Sequence, residues 1–215
     1  FHLSTQMINT ERPCPHNEIN CVRRYFAKHS HCKVAHGPVP DPLFLKRSTL
    51  ALAIGNTTFI LNNAKIKGLN GNITEFTINK KTNNLVIAAE MRDIIVYSPN
   101  TVLKYHRKMK EPIVLSDESL ITYESVTFTA VIPNIDNLEF TKTEVSSYLE
   151  NSRPPYAIGP GVIKSLDPVA INSFNKLVSN VPEVVKEAFS FQGPVFMLNY
   201  IQYNICDFGY EIMST

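Results

Sequence analysis

The stretch "DPVAINSFNKLVSNVPEVVKEAF", residues 167–189, decides the fold class because it changes the period of a strand-rich chain. Asp167 can cap a helix that begins at Pro168, a favoured first helical residue. Apolar residues then recur on one helical face, namely Phe174, Leu177, Val178, Val181, Val185, Ala188 and Phe189. Pro182 predicts a kink or a break in this helix, because proline lacks the amide donor.

The apolar pattern continues towards the end of the chain. Gly193-Pro194 predicts a second interruption, and "VFMLNYIQYNICDF", residues 195–208, is apolar on most sides. A helical segment without a polar face is expected to be buried. The C-terminal third is therefore predicted to form a long, largely buried helical element.

Residues 43–140 show the two-residue period of β-strands instead. Their segments are rich in β-branched and aromatic residues and are separated by Asn-Gly, Thr-Asn-Asn and Ser-Pro breaks. The segments are "STLALAI", "TTFILNNAKIKGL", "NITEFTIN", "NNLVIAAEMRDIIVYS", "EPIVLS" and "LITYESVTFTAVI". Short links predict an antiparallel meander, and long strands predict strong twist. Since a sheet must cover its apolar face, we predict an α+β fold in which a long, curved antiparallel sheet wraps around the C-terminal helix.

The N-terminal region predicts a second, shorter helix. From Glu18 to His31, apolar residues recur at helical spacing, namely Ile19, Val22, Tyr25 and Phe26. The remaining face of this helix is basic. No internal repeat or low-complexity linker divides the chain, so residues 1–215 are interpreted as one domain.

The four cysteines indicate at least one disulfide. "PCPHNEINC", residues 13–21, contains Cys14 and Cys21, whose C-x6-C spacing is neither the C-x-x-C of redox sites nor that of most zinc ligands. A disulfide that staples the first helix is the simplest interpretation. Cys32 and Cys206 either form a second disulfide or remain two thiols.

Several features favour secretion. Disulfides persist in oxidising compartments, and the sequons at Asn56 and Asn72 are candidate glycosylation sites. The sequence begins without Met and without a signal-peptide pattern, which we interpret as a processed form.

Composition and motifs argue against several functional classes. The net charge of +2 is well distributed, whereas nucleic-acid binding would require a basic stripe. No apolar run approaches the roughly 18 residues that a membrane span needs. The G-x-S-x-G, Walker, G-x-G-x-x-G and H-E-x-x-H motifs are absent from the sequence. We therefore expect no enzyme and no cofactor.

The sharpest metal candidate is "HSHCKVAH", residues 29–36. Its residues His29, His31, Cys32 and His36 are good zinc or copper ligands. However, His29 and His31 would point to different sides of a helix, and the spacing of the four residues matches no established zinc site. A solvated helix end is the preferred interpretation, so no metal is expected.

The segments, taken in order, resemble the insect juvenile hormone binding protein and takeout family. The similar segments are "PCPHNEINC", "VPDPLFLK" (39–46), "NNAKIKGLNGNITEFTIN" (62–79), "NNLVIAAEMRDIIVYSP" (83–99) and "INSFNKLVSNVPEVVKEAF" (171–189). The resemblance implies a lipid-binding super-roll that encloses a hydrophobic tunnel. It also implies an extracellular protein of insect haemolymph or a similar fluid.

The resulting expectation is a secreted, monomeric carrier of a small hydrophobic ligand: juvenile hormone, a fatty-acid-like molecule or another long apolar lipid. Tyr123 is the first candidate for a polar ligand contact, and a merely packed tyrosine is the alternative. The predicted apolar lining consists of Ile121, Val126, Phe128, Phe174, Val178, Val181, Val185, Phe189, Phe196 and Leu198. The alternative function is transient contact with a membrane surface or receptor through the basic face Arg23, Arg24 and Lys28.

Overall fold

The computed structural model describes residues 10–159 and 167–212, which form three helices and two antiparallel sheets. The eight-stranded sheet contains β1 (Thr10–Glu11), β3 (Leu43–Leu52), β4 (Thr57–Lys67), β5 (Asn72–Asn79), β6 (Asn84–Arg107), β7 (Lys110–Pro133), β8 (Glu144–Leu149) and β9 (Tyr156–Ile158). The two-stranded sheet pairs β2 (Lys33–Val34) with β10 (Cys206–Asp207). The helices are α1 (Ile19–Lys28), α2 (Pro168–Ser179) and α3 (Val181–Asn204), and 3₁₀ turns span Pro15–Asn17, Ile54–Asn56 and Phe140–Lys142.

The β6–β7 hairpin forms the centre of the large sheet, and each of its two strands has 24 residues. One edge of β6 pairs with β5 and then with β4, and the outer edge of β7 pairs with β8 and β9. The predicted break at Ser98-Pro99 is wrong, because β6 continues through it. The register with β7 shifts between Ser98 and Thr101, and at such an irregularity proline's missing donor interrupts no regular ladder.

Helix α3 lies along the inside of this sheet. It packs against β3 and β8, which are separate edges of the sheet, as well as against β7. A sheet whose two edges both reach one helix must curl around it. The predicted architecture, a curved antiparallel sheet wrapped around a C-terminal helix, is therefore confirmed.

The C-terminal helical element is divided once rather than twice. Asp167 caps α2 by accepting a hydrogen bond from the backbone N–H of Val169 at 2.9 Å. The chain breaks at Asn180, and Pro182 occupies the first turn of α3, as predicted. The second predicted interruption is wrong, since α3 continues through Gly193 and Pro194. Dense packing outweighs the lost donor there, because a Cβ at Gly193 would lie 2.8 Å from Ser147 Oγ.

Both cysteine pairs form disulfides and secure α1. Cys14, which precedes α1, bonds to Cys21 in its first turn, which confirms that prediction, and Cys32 bonds to Cys206 across 174 residues. The second bond decides between the two alternatives left open by the sequence and removes Cys32 as a thiolate metal ligand. None of the helices in the described ranges is long and apolar enough to cross a bilayer.

Candidate apolar ligand site

A cavity of about 140 Å³ lies at one end of the roll, between the sheet and the junction of α2 with α3. Strands β3, β4, β6, β7 and β9 form its walls on the sheet side. Among the described residues that line it, none carries a charge. A cavity of this size lined by aliphatic and aromatic side chains can hold a benzene-sized apolar group.

The packing of α2 bounds the cavity at the α2–α3 junction. Helix α2 packs mainly on the Ile54–Asn56 turn, with further contacts to β6 and α3. Gly55 permits this contact, because it has a φ of +74° and a Cβ there would lie 3.0 Å from the Leu177 side chain. The side chains of Val181, Val185 and Ala188 face the gap from α3. The small Ala188 leaves space that a larger residue would fill.

Tyr123 contributes a hydroxyl group to this apolar site. The residue is only 2% exposed, and its ring packs on Phe189 with the centroids 4.7 Å apart. Among the described residues, the hydroxyl has no hydrogen-bond partner. Burial raises the pKa of Tyr123 above its ordinary value, so the phenol stays protonated at physiological pH and can donate a hydrogen bond.

Gln192 is a second polar residue of the site, and the sequence reasoning missed it. It lies on α3, borders the cavity and is 5% exposed. Its amide likewise makes no hydrogen bond to any described residue. Since no completely enclosed side-chain N or O atom in the described chain lacks a partner, we infer that these two polar groups are open to the cavity. The sequence feature that could have pointed to Gln192 was its position as the one glutamine in the largely apolar segment 188–198.

Two other hydroxyls of the lining, those of Thr101 and Ser119, differ in this respect. Thr101 and Ser119 hydrogen-bond to each other across β6 and β7. A buried polar group without a partner is costly, whereas a paired group is not. Among the buried residues of the described lining, the polar groups without a partner are therefore those of Tyr123 and Gln192.

One side of the cavity opens to solvent. Leu120, Tyr156 and Val178 all border it and are 40%, 44% and 40% exposed, respectively. These three side chains, termed here the mouth, come from β7, β9 and α2. Exposed apolar side chains around an apolar cavity provide an entry route for an apolar molecule.

The structure divides the predicted lining residues into two groups. The residues that border the cavity are Ile121, Tyr123, Phe174, Val178, Val181 and Val185. The residues that lie elsewhere in the core are Val126, Phe128, Phe189, Phe196 and Leu198. The Phe128 ring contacts both Phe189 and Phe196, at centroid distances of 5.7 and 6.1 Å. These aromatic rings fill the space between the sheet and α3, so the described residues enclose a local cavity rather than the tunnel that the resemblance implied.

Other predicted surface features lie away from the cavity lining. Arg23 of the basic helical face is engaged, because its Nε donates to Asn204 O at 2.8 Å and its Nη1 to Asn20 Oδ1 at 2.9 Å. Arg24 and Lys28 are exposed. Asn56 and Asn72 are also exposed, and their glycosylation stays a prediction.

Comparison with known proteins identifies both the sequence family and the fold. The Fibroin P25 family model matches residues 10–210. Fibrohexamerin from Galleria mellonella is 23% identical over 207 residues, which cover 94% of this chain and 90% of that protein. The crystal structure of Takeout 1 from Epiphyas postvittana superposes with a TM-score of 0.56 at 17% identity, covering 91% of this chain and 95% of that one. The likeness to takeout is therefore one of fold, whereas the sequence match is to Fibroin P25.

Proposed function

The chain belongs to the Fibroin P25 family, and we propose that it is a secreted, non-enzymatic, monomeric carrier that binds a small, neutral, apolar ligand in the cavity. The observation that carries this proposal is the pairing of an apolar cavity with two buried polar groups, Tyr123 and Gln192, that have no hydrogen-bond partner among the described residues. A ligand carbonyl could accept hydrogen bonds from the Tyr123 hydroxyl and the Gln192 amide nitrogen while its hydrocarbon is buried. The two disulfides support an extracellular location.

The lining restricts the chemistry of the ligand. Burial of hydrocarbon contributes about 25 cal/mol per Å², and the Tyr123 hydroxyl and Gln192 amide can both donate to an ester, ketone or amide carbonyl. An ionised carboxylate would lose its hydration without gaining a cationic partner. We therefore propose an ester, ketone, amide or alcohol in preference to an ionised fatty acid. Since the cavity measures about 140 Å³, a long ligand would extend through the mouth.

The direct experiment is displacement of a fluorescent apolar probe by ligands that differ only in the head group. A methyl ester should displace the probe at lower concentration than the ionised acid of the same chain length. Ala188→Phe should abolish probe binding by filling the cavity. Ala51→Phe, at an exposed position on the same sheet, is the matched control and should bind normally.

Two results would overturn the carrier proposal. One is the absence of probe binding at micromolar concentration, and the other is equal binding by the Ala188→Phe variant. Native mass spectrometry of protein purified from its source, followed by organic extraction, would identify a ligand that co-purifies.

The family name supports a second candidate function, association with fibroin. This candidate requires a protein partner rather than an occupied cavity. Light scattering after size-exclusion chromatography, with and without fibroin, tests it. If the Ala188→Phe variant retained a complex with fibroin but lost the probe, fibroin association would be independent of the cavity.

A further inference from the structure

The tip of the β6–β7 hairpin exposes an apolar side chain in an unfavourable backbone conformation. Arg107 pairs with Lys110, so Lys108 and Met109 form a two-residue turn. Met109 is 97% exposed and has a φ of 58°, a region that favours glycine or asparagine. Neither local stability nor solubility explains methionine at this position, whereas a binding role for its side chain would.

The turn is surrounded by positive charge. Lys104, Arg107, Lys108 and Lys110 lie within the same short segment, in which Glu111 is the nearest acidic residue in sequence. In the described part of the chain, none of these four basic side chains forms a salt bridge. The Arg107 Nε instead donates to the backbone carbonyl of Glu111 at 2.7 Å. The tip therefore presents cations that have no acidic partner.

The same end of the molecule carries further exposed apolar side chains. Ala170 of α2 packs against Leu103 and Tyr105 and thereby fixes the start of α2 to the hairpin. Its neighbours Val169 and Ile171 are 40% and 43% exposed, and Val114 on β7 is 54% exposed. We call Met109 and Val114, together with the four basic residues, the hairpin face. Val169 and Ile171 of α2 lie across the hairpin from Lys104 and Val114, because Ala170 packs on the opposite side of the two strands. The mouth of the cavity is formed by β7, β9 and α2, which belong to the same end of the roll.

We propose that the hairpin face docks on an anionic lipid membrane. Apolar side chains flanked by Lys and Arg suit this surface, because the apolar groups enter the boundary of the acyl chains while the cations meet lipid phosphates. Transfer of the ligand through the mouth would rest on the proposed carrier function, but docking itself requires no ligand.

The basic face of α1 is a less suitable docking surface. Arg23 is held by Asn204 and Asn20, and α1 lies at the C-terminal end of α3. The hairpin and α2 lie at the opposite end of that helix, whose 24 residues span about 36 Å. Substitutions at the two ends can therefore be compared without direct interference.

Co-sedimentation with vesicles tests the proposal. The chain should bind vesicles of phosphatidylcholine and phosphatidylserine (about 7:3, a ratio that supplies the anionic surface) and should bind pure phosphatidylcholine far less. Lys108→Gln with Lys110→Gln should weaken binding about 25-fold, because each cation near such a surface strengthens binding about fivefold. Met109→Ser should weaken it roughly tenfold through lost apolar burial. Arg24→Gln with Lys28→Gln, the matched control, should bind like the unaltered chain.

Several outcomes would overturn docking. They are no binding to anionic vesicles, equal binding to both vesicle types, or an equal loss in the α1 control. Binding to polyglutamate as strong as binding to vesicles, and unaffected by Met109→Ser, would assign the face to an acidic protein instead. Failure of the carrier function can be distinguished from failure of docking, because Ala188→Phe should lose the apolar probe yet still bind vesicles. The hairpin variants should still bind the probe in solution.

Discussion

Replacement of Gln192 with Leu should stabilise the ligand-free protein. The amide is buried beside an apolar cavity and has no hydrogen-bond partner among the described residues, so folding removes its hydration without compensation. Protein mutational data place this penalty at about 1–3 kcal/mol, and access to the cavity space favours the lower end. Leu has a similar volume and adds apolar burial. We therefore expect the free energy of unfolding to rise by about 1 kcal/mol.

Gln202 provides a matched control on the same helix. It is equally buried, at 7% exposure, but both its amide nitrogen and its amide oxygen are hydrogen-bonded. The Nε2 group donates to Tyr210 O at 2.6 Å, and Oε1 accepts from the backbone N–H groups of Phe208 and Tyr210, both at 3.2 Å. Gln202→Leu removes all three of these hydrogen bonds and should destabilise the protein by about 1.5–4.5 kcal/mol, at about 0.5–1.5 kcal/mol for each bond.

Urea unfolding followed by circular dichroism measures both variants, and probe displacement by the methyl ester measures affinity. Gln192→Leu should weaken ester binding about fivefold, the equivalent of one neutral hydrogen bond. A loss of stability in Gln192→Leu comparable to that in Gln202→Leu would refute the reasoning. It would mean that the Gln192 amide is already hydrogen-bonded in the ligand-free protein and needs no ligand to pair it.

Three further predictions concern stability. Replacing Cys32 and Cys206 with Ala should lower the free energy of unfolding, measured in urea, by about 5 kcal/mol. Replacing Cys14 and Cys21 with Ala should lower it by only about 2.4 kcal/mol, because the two bonds span 174 and 7 residues, respectively. Equal losses would contradict the loop-entropy argument. Burial raises the pKa of Tyr200 to about 12. Because the unfolded phenol loses its proton first, near pH 10, stability should fall above that pH, by about 1.4 kcal/mol at pH 11; Tyr200→Phe should reduce this slope. Gly71→Ala places a Cβ 2.1 Å from Glu90 O. It should reduce the free energy of unfolding by about 2 kcal/mol and thereby lower the melting temperature. An unchanged melting temperature would show that the main-chain segments at Gly71 and Glu90 can move apart.

Much of the fold was predictable because its periodic segments are long. The strand pattern indicated the β4–β7 region, and the apolar spacing from Phe174 to Phe189 indicated the helices around which the sheet curls. Pro99 and Pro194 were misjudged because proline's local effect depends on partners distant in sequence. A shifted register accommodates the first, and tight packing around Gly193 and Ser147 holds the second in place.

The site was only partly predictable. Val181 and Val185 border the cavity while Phe196 fills the core, yet all three belong to the same apolar pattern. Which side chain faces empty space depends on how α2 packs, and its contacts are with the Ile54–Asn56 turn, β6 and α3, which are distant from one another in sequence. Gln192 stood out as polar in sequence, but only its lack of a partner in three dimensions marks it as a ligand contact.

The Cys32–Cys206 bond also has a mechanical consequence. It joins the segment after α1 to the residues that follow α3, so tension applied from outside residues 32–206 passes through a covalent bond and bypasses strands β3 to β9. The 174 residues between these cysteines would otherwise release up to about 600 Å of contour length. A pulled molecule should therefore extend only through residues outside this loop, and the strands and helices that enclose the cavity should survive shear or drawing that would unravel a protein held by hydrogen bonds alone.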